Sequence, residues 1–237
     1  MIFHEERKGC GKMEDVRIIE VKQSVFADNE KDACRLRQQL KKEKTFLLNV
    51  MSSPGAGKTT LLRELSGKLG EKLKFAVMEA DIDSDVDAKA MRQAGVDAIQ
   101  IHTGGMCHLY ADMTRQGLTE LDSSQYDLVI LENVGNLVCP AEFDTGAVKN
   151  MTILSVPEGD DKPLKYPLMY EVCQLLVISK TDVMDSFDFD REKVVKYARM
   201  RNPEIEVIFT SAKTGEGIDE LATWIIENVT RWNADLL

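Results

Sequence analysis

Short apolar runs alternate with stretches of helical periodicity along most of this chain. Residues 126–131 (YDLVIL) contain little but apolar positions, which is typical of a strand buried on both faces of a sheet. Similar runs predict further strands at residues 16–21, 46–50, 73–80, 96–101, 151–156, 172–179 and 205–210. Helical patterns are found at residues 28–44, from residue 61 onward, and at residues 88–95, 107–117, 192–201 and 217–232. This alternation predicts an α/β fold with a mostly parallel, twisted sheet and helices on both of its faces.

Residues 46–60 (FLLNVMSSPGAGKTT) are typical of a strand that runs into a phosphate-binding loop and then into a helix. Glycines let backbone N–H groups approach phosphate oxygens, and the start of the helix adds the positive end of its dipole. In this motif Lys58 reaches the β- and γ-phosphates and Thr59 ligates Mg²⁺. The strict pattern G-x-x-x-x-G-K-[ST] opens with glycine, and Ser52 stands in that place. The residues predicted to hold a nucleoside triphosphate are Pro54, Gly55, Ala56, Gly57, Lys58, Thr59 and Thr60.

Two motifs after later strands resemble those with which GTPases recognise guanine: SKTD at residues 179–182, similar to N-K-x-D, and SAK at residues 211–213. The carboxylate of Asp182 can accept hydrogen bonds from both N1–H and the exocyclic amine of guanine, a donor pair that adenine lacks. Ser179 stands where the motif has asparagine, which removes an amide that usually contacts the base or braces the phosphate loop. GTP is therefore predicted rather than ATP. The predicted base-binding residues are Lys180, Asp182, Ser211, Ala212 and Lys213.

Acidic residues follow two other predicted strands. Glu132 and Gly135 lie where GTPases carry D-x-x-G, so the acid can hold a Mg²⁺-bound water and the Gly135 N–H can meet the γ-phosphate. Asp81 and Asp83, next to Glu79, form a second group, in which Asp81 is the predicted Mg²⁺ ligand. Solvated or helix-capping roles are the alternative for each acid. The sequence does not choose between them, so the predicted catalytic set is Lys58, Asp81, Asp83 and Glu132.

Composition narrows the choice of partner and compartment. The chain has 237 residues and a formal net charge of −10, with 40 acidic against 30 basic residues, which argues against nucleic acid as the main partner. No apolar stretch reaches the roughly 18 residues that a membrane span needs, and residues 1–16 carry charges where a signal peptide needs an apolar segment. Five widely spaced cysteines do not suggest a disulfide framework, so the reducing cytoplasm is expected. We expect a polar lead-in at residues 1–27 and one domain at residues 28–237.

Three residues are candidates for a further metal site. Cys107 and His108 are expected at the start of a helix, and Cys139 follows Gly135 by four residues. Thiolate and imidazole are ligands for Zn²⁺ and also suit Ni²⁺. Because adjacent helical side chains diverge by about 100°, one chain is expected to have difficulty presenting all three ligands to one ion. Simple packing of the cysteines in the core is the alternative.

Four segments resemble the hydrogenase nickel-incorporation GTPases called HypB: SSPGAGKTTLL (52–62), TGGMCHLYADM (103–113), ENVGNLVCPAEFD (132–144) and EGDDKPLKYP (158–167). The resemblance implies a P-loop NTPase of the signal-recognition/MinD-like GTPase class that forms a homodimer with GTP bound. It implies a role in delivering nickel to the large subunit of [NiFe] hydrogenase, with the nickel metallochaperone HypA as a partner. Cys107, His108 and Cys139 match the family's ligands for nickel or zinc at the dimer interface.

Some family members carry an N-terminal Cys motif or a His-rich stretch, and this sequence supports neither. Residues 1–27 contain only His4 and Cys10 as ligands of those types, and the chain has three histidines in all.

Three other functions stay open: a related nickel GTPase that serves another enzyme such as urease, a GTP switch without metal, and an ATP-dependent small-molecule kinase on the same fold.

Overall fold

The computed structural model describes residues 17–20, 29–81 and 86–237. Most of the lead-in predicted at residues 1–27 lies outside these ranges, as does the predicted site residue Asp83. For residues 17–20 only the backbone is described.

Eight strands in the described residues form one sheet, in which every pair of neighbours is parallel. The order across the sheet is β1-β4-β3-β5-β2-β6-β7-β8. The strands are β1 (Arg17–Glu20), β2 (Phe46–Ser52), β3 (Phe75–Asp81), β4 (Asp97–His102), β5 (Leu128–Glu132), β6 (Lys149–Ser155), β7 (Leu175–Ser179) and β8 (Glu206–Phe209).

Helices connect these strands. They are α1 (Asn29–Glu43), α2 (Lys58–Gly70), α3 (Val86–Gln93), α4 (Ala111–Leu121), α5 (Cys139–Glu142), α6 (Lys162–Lys165), α7 (Pro167–Glu171), α8 (Arg191–Arg201) and α9 (Ile218–Asn233). The described residues also include 3-10 helices at Ser123–Gln125, Val156–Glu158 and Thr181–Ser186. None of the described helices combines the length and the apolarity that a membrane crossing requires.

The sheet is covered on both faces. In β7, Leu175 and Val177 belong to a large core with α2 and α9, whereas Leu176 and Ile178 belong to a smaller core with α7 and α8. Because successive strand residues point to opposite faces, the side chains of β7 pack against α2 and α9 on one face of the sheet and against α7 and α8 on the other. The predicted α/β fold is therefore confirmed, with an entirely parallel sheet over the described residues.

Strand β2 lies in the middle of the sheet, between β5 and β6. The chain leaves β2 for β3 on one side and later reaches β6 on the other, so the connections diverge at the end of β2. In parallel sheets a ligand crevice forms at such a point, beyond the carboxyl ends of the strands.

One predicted helix begins in the wrong place. The pattern predicted a helix at residues 107–117, but α4 begins at Ala111. Gly104 and Gly105 adopt positive φ angles of 65° and 91°, and the Thr103 hydroxyl donates to the Met106 carbonyl at 2.6 Å. The two glycine conformations and this hydrogen bond form a loop. Cys107 and His108 therefore lie before the helix.

Two other differences concern the region between β5 and β7. The sequence pattern did not show the short helices α5, α6 and α7. The sequence pattern also predicted that strand β7 begins at residue 172. In the structure it begins at Leu175, because Val172 still belongs to the end of the preceding helix.

Candidate functional site

The phosphate-binding loop connects the end of β2 to the first turn of α2. Gly55 and Gly57 have φ angles of 75° and 97°, which side chains other than glycine rarely adopt, and Gly57 precedes the first helical residue. Predicted residues of the loop line a cavity of about 610 Å³ beyond the strand ends. Those residues are Pro54, Gly55, Gly57, Lys58, Thr59 and Thr60.

Ser52, which replaces the usual glycine, has a defined role in this loop. Lys58 Nζ donates to Ser52 Oγ at 3.0 Å, and the same hydroxyl donates to the Ser53 carbonyl at 2.6 Å. The ammonium group is thereby held back along the loop, where it borders the cavity.

Glu132, one of the predicted acids, contacts the first turn of α2 directly. Its Oε1 accepts from the Thr59 hydroxyl at 3.0 Å, which brings it beside the predicted Mg²⁺ ligand. Register pairs Glu132 with Glu79 across β5 and β3, and the two side chains are only 4% and 3% exposed. Burial raises the pKa of both carboxyls, and the charge of Glu132 raises the pKa of Glu79 further.

Two aspartates complete the acidic side of the cavity. Asp81, a predicted residue, borders it from the end of β3. Asp87 also borders it, from the first turn of α3, and was not predicted. Its only signal in the sequence was an acid near a helix start, which is common at helix N-termini without any function.

The predicted base-binding residues meet in a second cavity of about 200 Å³ that adjoins the loop. The side chain of Asp182 is 13% exposed. Its Oδ1 accepts from the Ser211 hydroxyl at 2.7 Å, and its Oδ2 lies 3.8 Å from Lys213 Nζ. Lys180 and Ala212 line the same cavity. The SKTD and SAK motifs, separated in sequence, therefore form one pocket with a carboxylate on its wall.

The serine at position 179 was expected to leave the phosphate loop without a supporting contact, but the structure retains one. The Ser179 hydroxyl donates to the Ala56 carbonyl at 2.7 Å, and Lys180 Nζ donates to the Gly55 carbonyl at 2.7 Å. Serine is shorter than asparagine, but Ser179 is buried at the end of β7, where its side chain reaches the loop. Serine in place of asparagine therefore keeps a contact with the phosphate loop and lacks only the amide group.

Gly135 lies against the phosphate loop. A Cβ at this position would lie 3.2 Å from atoms of Pro54, so a side chain here would push against the loop by a few tenths of an ångström. From Gly135 the chain continues for four residues to Cys139, the first residue of α5.

Cys107, His108 and Cys139 converge. One donor atom from each lies within 4.8 Å of the other two. The expectation that one chain could not readily present all three ligands is therefore wrong, because Cys107 and His108 lie in a loop and not on a helix. Two thiols and one imidazole in this arrangement fit the ligand preferences of Ni²⁺ and Zn²⁺.

Aromatic side chains hold the imidazole in place. The His108 ring stacks on Phe143 with ring centroids 4.0 Å apart and meets Tyr110 edge-on at 4.8 Å. Burial lowers the pKa of His108, which favours the neutral form that binds metals. Its Nε2 is buried and has no hydrogen-bond partner within the part of the chain that the structure describes. The sequence analysis did not identify Phe143 as a site residue, although it stands in the quoted segment ENVGNLVCPAEFD.

The second thiol is oriented by its own loop. Asn136 Oδ1 accepts from the backbone N–H groups of Val138 and Cys139, and its Nδ2 lies 3.7 Å from Cys139 Sγ. A hydrogen bond with Cys107, together with burial, raises the pKa of the Cys139 thiol. Binding of a metal to Cys139 would therefore release a proton.

Comparisons with known proteins show the family of this chain. A family model described as CobW/HypB/UreG, nucleotide-binding domain, matches residues 45–209. Hydrogenase maturation factor HypB of Azotobacter vinelandii is 46% identical over 209 residues, which are 88% of this chain and 69% of that protein.

Solved structures give the same result. HypB from Helicobacter pylori in complex with nickel has a TM-score of 0.81 at 37% identity, with 86% of this chain and 96% of that chain covered. The signal recognition particle receptor FtsY from Elizabethkingia anophelis has a TM-score of 0.51 at 16% identity, over 83% of this chain and 72% of that one, and so shares the fold.

Proposed function

Since this chain belongs to the HypB family of hydrogenase maturation factors, we propose that it is a metal-binding GTPase that helps to deliver nickel to the hydrogenase large subunit. The observation that carries this function is the convergence of two thiols and an imidazole within 4.8 Å. One of these thiols, Cys139, lies four residues beyond Gly135, which packs against the phosphate loop.

GTP is the proposed nucleotide because a carboxylate, that of Asp182, lines the base pocket. Asp182 pairs with the N1–H and the amine of guanine, and it would be left unpaired against adenine. Its contact with Ser211 at 2.7 Å fixes the orientation of the carboxylate before a nucleotide arrives.

The phosphate end of the site is suited to hydrolysis. Lys58 would meet the β- and γ-phosphates, and the Gly135 N–H would meet the γ-phosphate. Thr59, Asp81 and Glu132 are the residues that would hold Mg²⁺, and the buried Glu132 Oε2 has no hydrogen-bond partner among the described residues. When bound, the ion neutralises charge on the phosphates. Asp81, Asp83, Glu132 and Asp87 are the acids available to orient a water.

The metal cargo is nickel or zinc, and the acting form is a GTP-dependent homodimer. Three protein donors leave a tetrahedral ion with one open position, which a ligand from a second copy across a two-fold axis would fill. By family resemblance the partners are HypA and the hydrogenase large subunit. The cytoplasm is the proposed location, in keeping with the free thiols of Cys34, Cys107, Cys139 and Cys173.

The test is Ni²⁺ and Zn²⁺ affinity measured with GDP and with a non-hydrolysable GTP analogue, alongside the oligomeric state. We expect tighter metal binding and more dimer with the analogue, because by linkage metal and GTP that favour the same dimer raise each other's affinity.

Cys107→Ala should remove most of the metal binding and leave GTP binding of the monomer nearly intact. Cys34→Ala is the matched control, because Cys34 is an exposed thiol on α1 outside the ligand cluster. Equal metal affinities in wild type and Cys107→Ala would leave a GTP switch without a metal function.

A further inference from the structure

Helix α1 bridges the two segments that carry the metal ligands. The side chain of Asn29, its first residue, makes two hydrogen bonds to backbone atoms far away in the sequence. Asn29 Oδ1 accepts from the Ala111 N–H at 2.9 Å, and Asn29 Nδ2 donates to the Asp144 carbonyl at 2.9 Å. Because one partner is a fixed donor and the other a fixed acceptor, the oxygen and the NH₂ of the amide satisfy both at once, which an ionised carboxylate could not do.

The first of these bonds fixes the loop that contains Cys107 and His108. Ala111 begins α4, three residues after His108. The residue before it, Tyr110, makes no side-chain capping bond, and tyrosine has no short acceptor with which to make one. Asn29 supplies an acceptor from 82 residues away in the sequence, so α1 determines where this loop ends.

The second bond is part of a wider attachment of α1 to the segment after Cys139. Arg37 donates to both carboxylate oxygens of Asp144, at 2.9 and 2.7 Å, and to the Ala147 carbonyl at 3.2 Å. Burial alone would raise the pKa of Asp144. The hydrogen bond from Arg37, the positive charge of Arg37 and the hydrogen bond from the Gly146 N–H outweigh the effect of burial, so the pKa of Asp144 is lowered. A bidentate pair of this kind fixes direction as well as distance.

Packing also joins α1 to this segment. A Cβ on Gly146 would lie 2.6 Å from Leu36 Cδ2, so α1 approaches the chain closely there. Phe143 lies one residue before Asp144 and stacks on His108 at 4.0 Å. The Asp144 backbone is thus one residue from the ring that orients the imidazole, and five residues from Cys139.

We infer that Asn29 and Arg37 are positioning residues of the metal site, which hold the loop of Cys107 and His108 at a fixed separation from the segment of Cys139. This inference rests on the metal binding proposed above, and it adds a helix that contributes no ligand. Groups that orient metal ligands typically change affinity by about 10–100-fold when they are removed.

The test is titration of the purified protein with Co²⁺, followed by the thiolate-to-metal charge-transfer band and the d–d bands. Asn29→Ala and Arg37→Ala should each weaken Co²⁺ binding by roughly 10-fold or more and shift the d–d bands. Arg35→Ala is the matched control, because Arg35 is an exposed arginine on the same helix, and the partner that it has among the described residues is Asp32, three positions away. Its affinity and spectrum should equal those of wild type.

Asn29→Asp separates bridging from helix capping. The carboxylate keeps an acceptor for the Ala111 N–H but places its second oxygen against the Asp144 carbonyl. Weakened Co²⁺ binding in Asn29→Asp, with unchanged GTP binding, supports the bridge. Co²⁺ affinity and spectra equal to wild type in both Asn29→Asp and Arg37→Ala would overturn it, and so would an equal loss in Arg35→Ala. If wild type itself binds no Co²⁺, the proposed metal function has failed, whatever α1 does.

Discussion

The nucleotide site and the metal site are built in different ways. Lys58 and Thr59 lie in the first turn of α2, and Asp182 lies just beyond β7, so each side chain is positioned by the end of a buried element. The ligands Cys107 and Cys139 stand 32 positions apart (139 − 107), in segments that are held together by contacts from a third part of the chain. The carboxyl ends of neighbouring strands therefore bring the parts of the first site together, whereas the second site depends on side-chain contacts from a separate helix.

Lys58→Ala is expected to have the largest effect, and that effect should be confined to the nucleotide site. Removal of the ammonium group leaves a loop of neutral amides, so GTP hydrolysis should fall on the order of 10²–10³-fold, as for loss of one strong electrostatic contact in an active site. Co²⁺ titration without nucleotide should be unchanged. Lys68→Ala is the control, since Lys68 is on the same helix and pairs with Asp219 on the surface. Undiminished hydrolysis in Lys58→Ala would contradict the assignment of the loop.

Asp182→Asn should shift the nucleotide preference of the protein from GTP towards XTP. The amide still accepts from Ser211 but presents a donor where xanthine has a carbonyl. Loss of two charge-assisted hydrogen bonds, about 1.5–3 kcal/mol each, should weaken GTP binding by roughly 100-fold or more. Competition between GTP and XTP for a fluorescent analogue measures the change. A variant that keeps full GTP affinity would show that Asp182 does not bind the base.

Ser179→Ala should produce the smallest change. It removes the hydroxyl that donates to the Ala56 carbonyl, a contact worth about 1 kcal/mol, so nucleotide affinity should fall by roughly fivefold. Ser66→Ala removes a similar hydroxyl-to-carbonyl bond on the exposed side of α2 and serves as the control. Ser179→Asn should leave GTP affinity equal or tighter. An unchanged affinity in Ser179→Ala would mean that Lys180 alone braces the loop.

The sequence predicted the sheet and the phosphate loop because their signals are local. Strand β5 is buried throughout, and the motif around Lys58 lies within a single strand, turn and helix start. The contact between Ser52 and Lys58 could not be predicted, because it depends on how far the lysine side chain folds back along the loop.

Features that depend on register and long-range contacts were not predicted. The sequence left open which acid faces the phosphate loop, and the register between β3 and β5 brings Glu79 and Glu132 together there. The start of α4 was placed too early because its capping bond comes from Asn29, which no window around residue 107 contains. The roles assigned to the predicted site residues stay predictions until they are measured.

The four-residue connection from Gly135 to Cys139 sets an upper limit on the distance between the two sites. A chain of that length spans at most about 14 Å when fully extended, and Gly135 itself touches Pro54 of the phosphate loop. A paramagnetic ion bound at the cysteines would therefore act as a reporter for the nucleotide. Phosphorus resonances of bound GTP should broaden when Co²⁺ is added and sharpen again when the ion leaves, so that NMR of one sample follows cargo and nucleotide together.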